Sequence, residues 1–243
     1  MARRTKHKSR SLFFGLLKMA LLAWLLQLVL ILALRWIPIY ITPLILIRGI
    51  EKIKKNQPIG YYKTWKPWTE LSPFLKSGVL CAEDQNFLKH NGFDQGAIKK
   101  AFEYNKKQES MGSNRRRGAS TVSQQTAKNV FLWPTRSWFR KGLEVYFTLC
   151  IETLWGKKRI LEVYLNIAEM GPSIYGAEAA AQQYFKVSAN QLSKEQAALI
   201  VSVLPSPLRY SVVNPGPYMR QRQQWVMQQI RFNATIWEFV NQE

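Results

Sequence analysis

Two cysteines and two histidines in 243 residues are too few to assemble a zinc site, and no CxxC pair is present. Cys81 and Cys150 are expected to be two small buried thiols, Cys150 lying in an apolar helical run. No repeat or low-complexity segment appears, and strand-like alternation is slight, so the fold is expected to be mainly α. Acid is scarce: 15 Asp plus Glu stand against 35 Lys plus Arg, a net charge of +20. That imbalance implies an anionic partner, whether nucleic acid, acidic lipid or a phosphorylated substrate, and does not choose among them. Hydrophobic residues make up 47% of the chain, enough for one domain with a proper core once an anchor is set aside.

The amino terminus indicates location. Arg3, Arg4, Lys6, Lys8 and Arg10 fall in residues 1–10 without an acid, and residues 11–34 are apolar except for polar breaks such as Lys18 and Gln27. A helix of that length would reach roughly 36 Å, against a hydrocarbon core of about 30 Å. Lys18 lies near the expected cytoplasmic end, where its stem can snorkel. The run is too long for a cleavable signal, and Arg35-Trp36 follows without a small-x-small site. Arg35, Arg48, Lys52, Lys54 and Lys55 follow the span, so charge bias gives only a weak vote for an inward amino terminus. Residues 36–47 (WIPIYITPLILI) are too short to span and contain Pro38 and Pro43. They are expected to form an interfacial segment beside the anchor, the alternative being a core element of the soluble part. The domain boundaries read from this are a basic cytoplasmic tail 1–10, an anchor 11–34, an interfacial segment and linker 35–60, and one domain 61–243.

Helix signals punctuate that domain. Ser72-Pro73 reads as an N-cap with proline at the first helical position. Asp94 caps a helix through Phe102, and Ser120 caps one through Phe131. A long helix is expected over 136–155, with Gly156 as a break before 157–166. Ser193 with Gln196 forms a capping box, and 217–230 reads as a final polar helix. The polar stretch 105–118, with Gly112 and Arg115-Arg116-Arg117, reads as a mobile loop.

Three constellations carry chemistry. Leu75, Val79, Glu83 and Phe87 recur every four residues, placing a carboxylate on an apolar stripe. In the string GASTVSQQTAKN, Ser120, Gln124 and Lys128 share one side, with Thr121 and Gln125 adjacent. Hydroxyls, amides and an ammonium at a helix start suit phosphate oxygens, and the free backbone N–H groups and dipole add to that preference. Arg136, Arg140 and Glu144 fall at i, i+4 and i+8 with Lys141 alongside. The Arg-before-Glu order is the weaker one for helix support, which favours a functional cluster over a surface bridge.

Read together, these strings resemble the family 51 glycosyltransferases, the monofunctional peptidoglycan glycosyltransferases and the matching domain of bifunctional penicillin-binding proteins. Glu83-Asp84-x-x-Phe87-x-x-His90-x-Gly92-x-Asp94 is similar to the first signature. Gly118-x-Ser120-Thr121-x-x-Gln124-Gln125-x-x-Lys128-Asn129 resembles the second, and Arg140-Lys141-x-x-Glu144 the third. Lys157-x-x-Ile160-Leu161-Glu162-x-Tyr164-Leu165-Asn166 resembles the fourth, and Tyr175-Gly176 with Ala179-Ala180 continues the match, all in the family's order over about residues 66–215. Gly171-Pro172-Ser173 departs from a more glycine-rich turn, and Cys81 stands where another small residue is usual.

The resemblance implies a lysozyme-like domain behind a transmembrane helix in the bacterial inner membrane, with the catalytic part on the periplasmic side. Its substrates would be lipid II and the growing glycan strand, its surroundings membrane lipids and other cell-wall synthesis or division proteins, and nucleic acid would have no part. By motif, Glu83 would be the general base and Glu144 the second carboxylate. Ser120, Thr121, Gln124, Gln125, Lys128, Asn129, Arg136, Arg140 and Lys141 would bind substrate. Asp84, Phe87, His90, Gly92 and Asp94 would be structural. A divalent cation, Mg²⁺ or Mn²⁺, is a candidate cofactor with Glu144 as a candidate ligand, and no organic cofactor is implied. No SxxK, SDN and KTG set follows, so a penicillin-binding transpeptidase domain is not expected. A lytic muramidase shares the fold and a glutamate but has little use for the cationic, amide-rich surface from Ser120 to Arg140.

Overall fold

A computed structural model describes the backbone of residues 2–135 and 137–242, with side chains described from residue 13 onward within those ranges. The chain divides into two compact units, Met1–Ile37 and Pro38–Glu243. The first unit contains α1 (Ala2–Ala33), of which Phe13–Ala33 is long and apolar enough to cross a membrane. Most of its apolar side chains, among them Phe13, Leu22, Leu26 and Val29, are exposed, which is consistent with a single-pass membrane anchor.

The second unit begins with α2 (Pro43–Lys54), capped by Thr42, whose hydroxyl accepts from the Ile45 N–H. Ile39, Thr42 and Ile45 are buried, whereas Ile41, Leu46, Ile50 and Ile53 are exposed. The segment expected to be interfacial thus has one buried face and one exposed apolar stripe. The helix also continues to Lys54, past the start of the expected linker. Lys63 ties this region down by donating to the carbonyls of Ile39 (2.5 Å) and Tyr40 (2.7 Å), and burial lowers its pKa to about 8.

The remaining elements are helical apart from one short hairpin. They are α3 (Pro73–Glu83), α4 (Gln95–Ser110), α5 (Val122–Phe131), α6 (Trp138–Leu154), α7 (Lys157–Ile167), the antiparallel pair β1 (Glu169–Gly171) and β2 (Ile174–Tyr175), α8 (Ala177–Phe185), α9 (Lys194–Val203), α10 (Pro217–Phe232) and α11 (Ala234–Asn241). The centre is α3, where Leu75, Val79 and Leu80 are fully buried, worth roughly 1.5–3 kcal/mol each. Helices α9, α10 and α11 pack around it. Gly78 permits that closeness: a Cβ there would stand 3.1 Å from a Val201 methyl and 3.4 Å from Ile230. A second group is formed by α5 against α6 and α7.

Caps and breaks fall mostly where expected. Asp94 caps α4 by accepting from Ala97 (2.8 Å) and Ser193 with Gln196 forms its capping box, while α6 starts two residues later than expected, capped by Ser137, which accepts from Arg140 (3.1 Å). Gly156 opens α7 with φ +78°. Three expectations change. The α5 cap is Thr121, not Ser120, because Thr121 stands three residues before Gln124 and the two close a reciprocal capping box. Helix α4 runs on to Ser110, so residues 105–110 of the expected loop are helical. The remainder is tied back, the Asn105 amide bonding both the N–H (2.7 Å) and the carbonyl (3.0 Å) of Arg117. Cys81 is buried and Cys150 half-buried, and both are free thiols.

Candidate active site

Glu83 is the last residue of α3. The Leu75–Val79–Glu83 face is real, but Phe87 reaches the core from the turns beyond the helix rather than from a fourth helical turn. A helix carboxyl end is the negative end of its dipole, so a carboxylate there needs partners from elsewhere. Two supply them. Gln125 of α5 donates to one Glu83 oxygen at 3.1 Å, and Arg222 of α10 approaches the other at 3.4 Å. Glu83 keeps 15% of its side chain exposed, which leaves it accessible.

Gln125 is itself oriented. The Tyr164 hydroxyl of α7 donates to its carbonyl oxygen at 3.4 Å, which turns the amide nitrogen towards Glu83. Burial first, and the Glu83 charge second, raise the Tyr164 pKa well above the ordinary tyrosine value, so the hydroxyl keeps the proton it donates.

The rest of the first signature holds α5 in place. Asp84 accepts from His90 Nε2 (2.9 Å) and from the Val122 N–H at the start of α5 (2.9 Å). The Gly92 N–H donates to His90 Nδ1 (3.1 Å), which fixes the tautomer that donates to Asp84. The Gly92 carbonyl in turn accepts from the Thr121 hydroxyl (2.7 Å). Gly92 has φ +91°, and a Cβ would stand 2.7 Å from a Thr148 methyl, so no other residue fits. Phe87 is buried with its ring nearly perpendicular to that of His90, and the Lys157 ammonium lies over it at 4.5 Å. The second Asp94 oxygen accepts from Asn86 at 2.8 Å. Asp84→Ala is expected to cost about 3 kcal/mol in denaturant unfolding, since two buried donors lose their acceptor at about 1–3 kcal/mol each.

This clamp corrects the anion-binding reading of the α5 start. The Thr121 N–H donates to the Gln124 side chain, the Gln124 N–H to Thr121 Oγ1, and the Val122 N–H to Asp84. Thr121 and Gln124 are buried in that cap, and the helix start is closed by protein groups rather than open to phosphate. Ser120 is exposed beside it. The cations come instead from further along. A cavity of about 340 Å³ is lined by the polar side chains of Gln125, Lys128, Asn129, Arg140 and Glu169 and by apolar ones including Leu44, Leu132 and Trp133. Glu83 lies one hydrogen bond away through Gln125.

Glu144 is buried on α6 and engages Arg140 (3.1 Å) and Lys141 (2.5 Å). Burial lowers the Lys128 pKa, while Glu144, and more weakly Glu83, act to raise it; Arg140 and Lys141 oppose them. Lys128 therefore feels both carboxylates, Glu144 the more strongly. Arg136 lies outside the described residues. The arrangement does not fit a protein-held divalent ion: both Glu144 oxygens are engaged by cations, and no three metal-ligating side chains cluster among the described residues.

Two residues at this site carry no role in the signature reading, Tyr164 and Arg222. Tyr164 was visible within the fourth signature. Arg222 sits in the helix read only as polar, although Tyr218, Arg222 and Trp225 share a face at helical spacing.

Comparison with known proteins accords with this geometry. The transglycosylase family model matches residues 51–231. The chain is 49% identical to the biosynthetic peptidoglycan transglycosylase of Pseudomonas aeruginosa over 91% of this chain and 93% of that one. It is 47% identical to the protein of the same name from Bdellovibrio bacteriovorus, over 88% and 84%, and 47% identical to that from Bacteroides thetaiotaomicron, over 79% and 76%. The chain belongs to the transglycosylase family, and its helical domain is of that family's lysozyme-like type.

Proposed function

We propose that this protein polymerises peptidoglycan glycan strands, transferring the growing lipid-linked chain onto the 4-hydroxyl of lipid II with inversion and release of undecaprenyl pyrophosphate. The observation that carries this reading is the division of chemistry across Gln125: an accessible carboxylate, Glu83, on one side, and a cavity with Lys128, Asn129 and Arg140 on the other. Glu83 takes the proton from the acceptor 4-hydroxyl as its oxygen attacks the anomeric carbon. The anomeric bond to pyrophosphate breaks, and its charge spreads onto oxygens facing Lys128 and Arg140. Glu144 keeps Arg140 and Lys141 in register. A pyrophosphate leaves as an anion, so the site needs cations there more than a general acid. A divalent cation enters this reading only as a companion of the pyrophosphate oxygens.

The apolar cavity wall and the exposed stripe of α2 support a site working at a lipid surface, where a polyprenyl tail stays in hydrocarbon. With α1 as a single-pass anchor, the reading puts the domain on the periplasmic face of a bacterial inner membrane, among acidic lipids that favour a +20 chain. Other wall-synthesis or division proteins are its expected company.

Purified full-length protein in detergent with lipid II and Mg²⁺ is expected to yield polymer, and a chelator control reads the cation requirement. Cleavage of preformed glycan without polymer would replace this reading with a muramidase.

A further inference from the structure

Helix α10 reaches the Glu83 oxygen that Gln125 does not hold, and its face there has a different chemistry from the cationic cavity. Tyr218, Arg222, Trp225 and Gln229 follow at intervals of four, three and four, so they line one side of the helix. That side is registered to the catalytic turn at two points: Arg222 reaches Glu83 at 3.4 Å, and Gln229 accepts from the Gln85 amide at 3.2 Å. Tyr218, Gln221, Arg222 and Trp225 surround an open hollow of about 250 Å³. Tyr218 and Trp225 are 49% and 39% exposed, unusual for rings held on a helix packed against the core. Tyr218 is braced from behind by Tyr210, stacked at 5.2 Å with 25° between planes. Arg222 is held as well: its side chain is only 21% exposed and is tied to Glu83, while its buried Nε–H has no acceptor among the described residues.

The occupant follows from the lining. Arg222 has its charge matched by Glu83, and no other charged side chain among the described residues lines the hollow, so an anion gains little there. Two aromatic faces flanked by an amide and a guanidinium suit a flat, neutral ligand with C–H faces and polar edges. A pyranose ring has that form, its C–H bonds packing on the rings and its hydroxyl or acetamido groups meeting Gln221 and Arg222. We propose that the Tyr218–Trp225 shelf is a saccharide subsite that takes an N-acetylhexosamine ring of the glycan next to the reacting bond. Arg222, between shelf and Glu83, is a positioning residue that couples ring placement to the base. The identity of the sugar rests on the polymerase reading above. The ring comes either from the lipid-linked acceptor or from the growing strand.

Steady-state polymerisation by full-length Tyr218→Ala and Trp225→Ala tests this. A shelf for the acceptor raises KM for lipid II by about 10-fold, with a smaller change in kcat, because binding common to ground and transition states is removed. A shelf for the strand leaves KM unchanged and shortens the product. Tyr218→Phe and Trp225→Phe, which keep a ring, recover most of either loss. Unchanged KM and unchanged strand length in both alanine variants overturn the proposal, as does loss in the phenylalanine variants equal to that in alanine. Gln221→Ala, an exposed change on the same shelf with an expected KM rise of about 3-fold, serves if the alanine variants do not fold. Binding of a soluble tetrasaccharide of alternating N-acetylhexosamines, followed by saturation-transfer NMR, reads the shelf without turnover. Should wild type fail to polymerise yet bind this sugar, and Trp225→Ala not bind it, the polymerase reading falls and the shelf stands. Equal binding by wild type and Trp225→Ala removes the shelf whatever the activity.

Discussion

Glu83→Gln is expected to lower the initial rate of strand synthesis by about 10³-fold while leaving the fold intact. General-base contributions run to about 10²–10⁴-fold, and glutamine removes only the ability to take a proton. It keeps the volume at the end of α3 and still presents an oxygen to the Gln125 amide, now 3.1 Å from Glu83. The Arg222 contact is long at 3.4 Å and partly exposed, so its loss changes stability by about 1 kcal/mol or less. The check is paired: lipid II polymerisation for the rate, and denaturant unfolding for the fold. A rate within tenfold of wild type, with the midpoint unmoved, would transfer the base role to another group.

Much of this site was legible because its chemistry is written in local strings. Glu83, Asp84, His90 and Gly92 lie within ten residues, and the structure joins Asp84 to His90 and His90 to Gly92 directly. The capping box at Ser193 and the break at Gly156 were legible for the same reason, since caps depend on three or four neighbouring residues. The Ser120 assignment failed where the local rule was applied one residue early: Thr121-x-x-Gln124 satisfies the capping-box spacing and Ser120 does not. That slip had a consequence for function, because an uncapped helix start would bind phosphate and this one is closed by Asp84 and Gln124. The extension of α4 to Ser110 was hidden because its last turns carry no apolar periodicity, only residues that tolerate a helix. Arg222 was beyond local reading altogether. Its meeting with Glu83, 139 residues earlier, exists only because α10 folds back on α3 against Gly78.

Glu144→Gln is expected to disable the enzyme by a different route, through the cations rather than the proton. Glu144 is 3% exposed, with Arg140 at 3.1 Å and Lys141 at 2.5 Å, so one carboxylate offsets a cluster that also includes Lys128. Breaking a buried pair costs about 3–5 kcal/mol, and the 40% exposure of Lys141 puts this case at the lower end, about 3 kcal/mol. The rate of strand synthesis should fall about 10²–10³-fold, the size of effect seen when a group stabilising developing charge is lost. The pH profile carries a separate mark. Burial already lowers the Lys128 pKa, and Glu144 is the largest influence raising it, against Arg140 and Lys141. Without Glu144, Lys128 loses its proton at lower pH, so the alkaline limb of the rate profile moves down in pH. A cycle with Arg140→Gln separates folding from function. Neutralising both partners should recover part of the lost stability, because Arg140 is then no longer a buried charge without its carboxylate, although Lys128 still is, while the rate falls further, because Arg140 itself faces the leaving group. Recovery of both together would mean that Glu144 and Arg140 serve the fold alone.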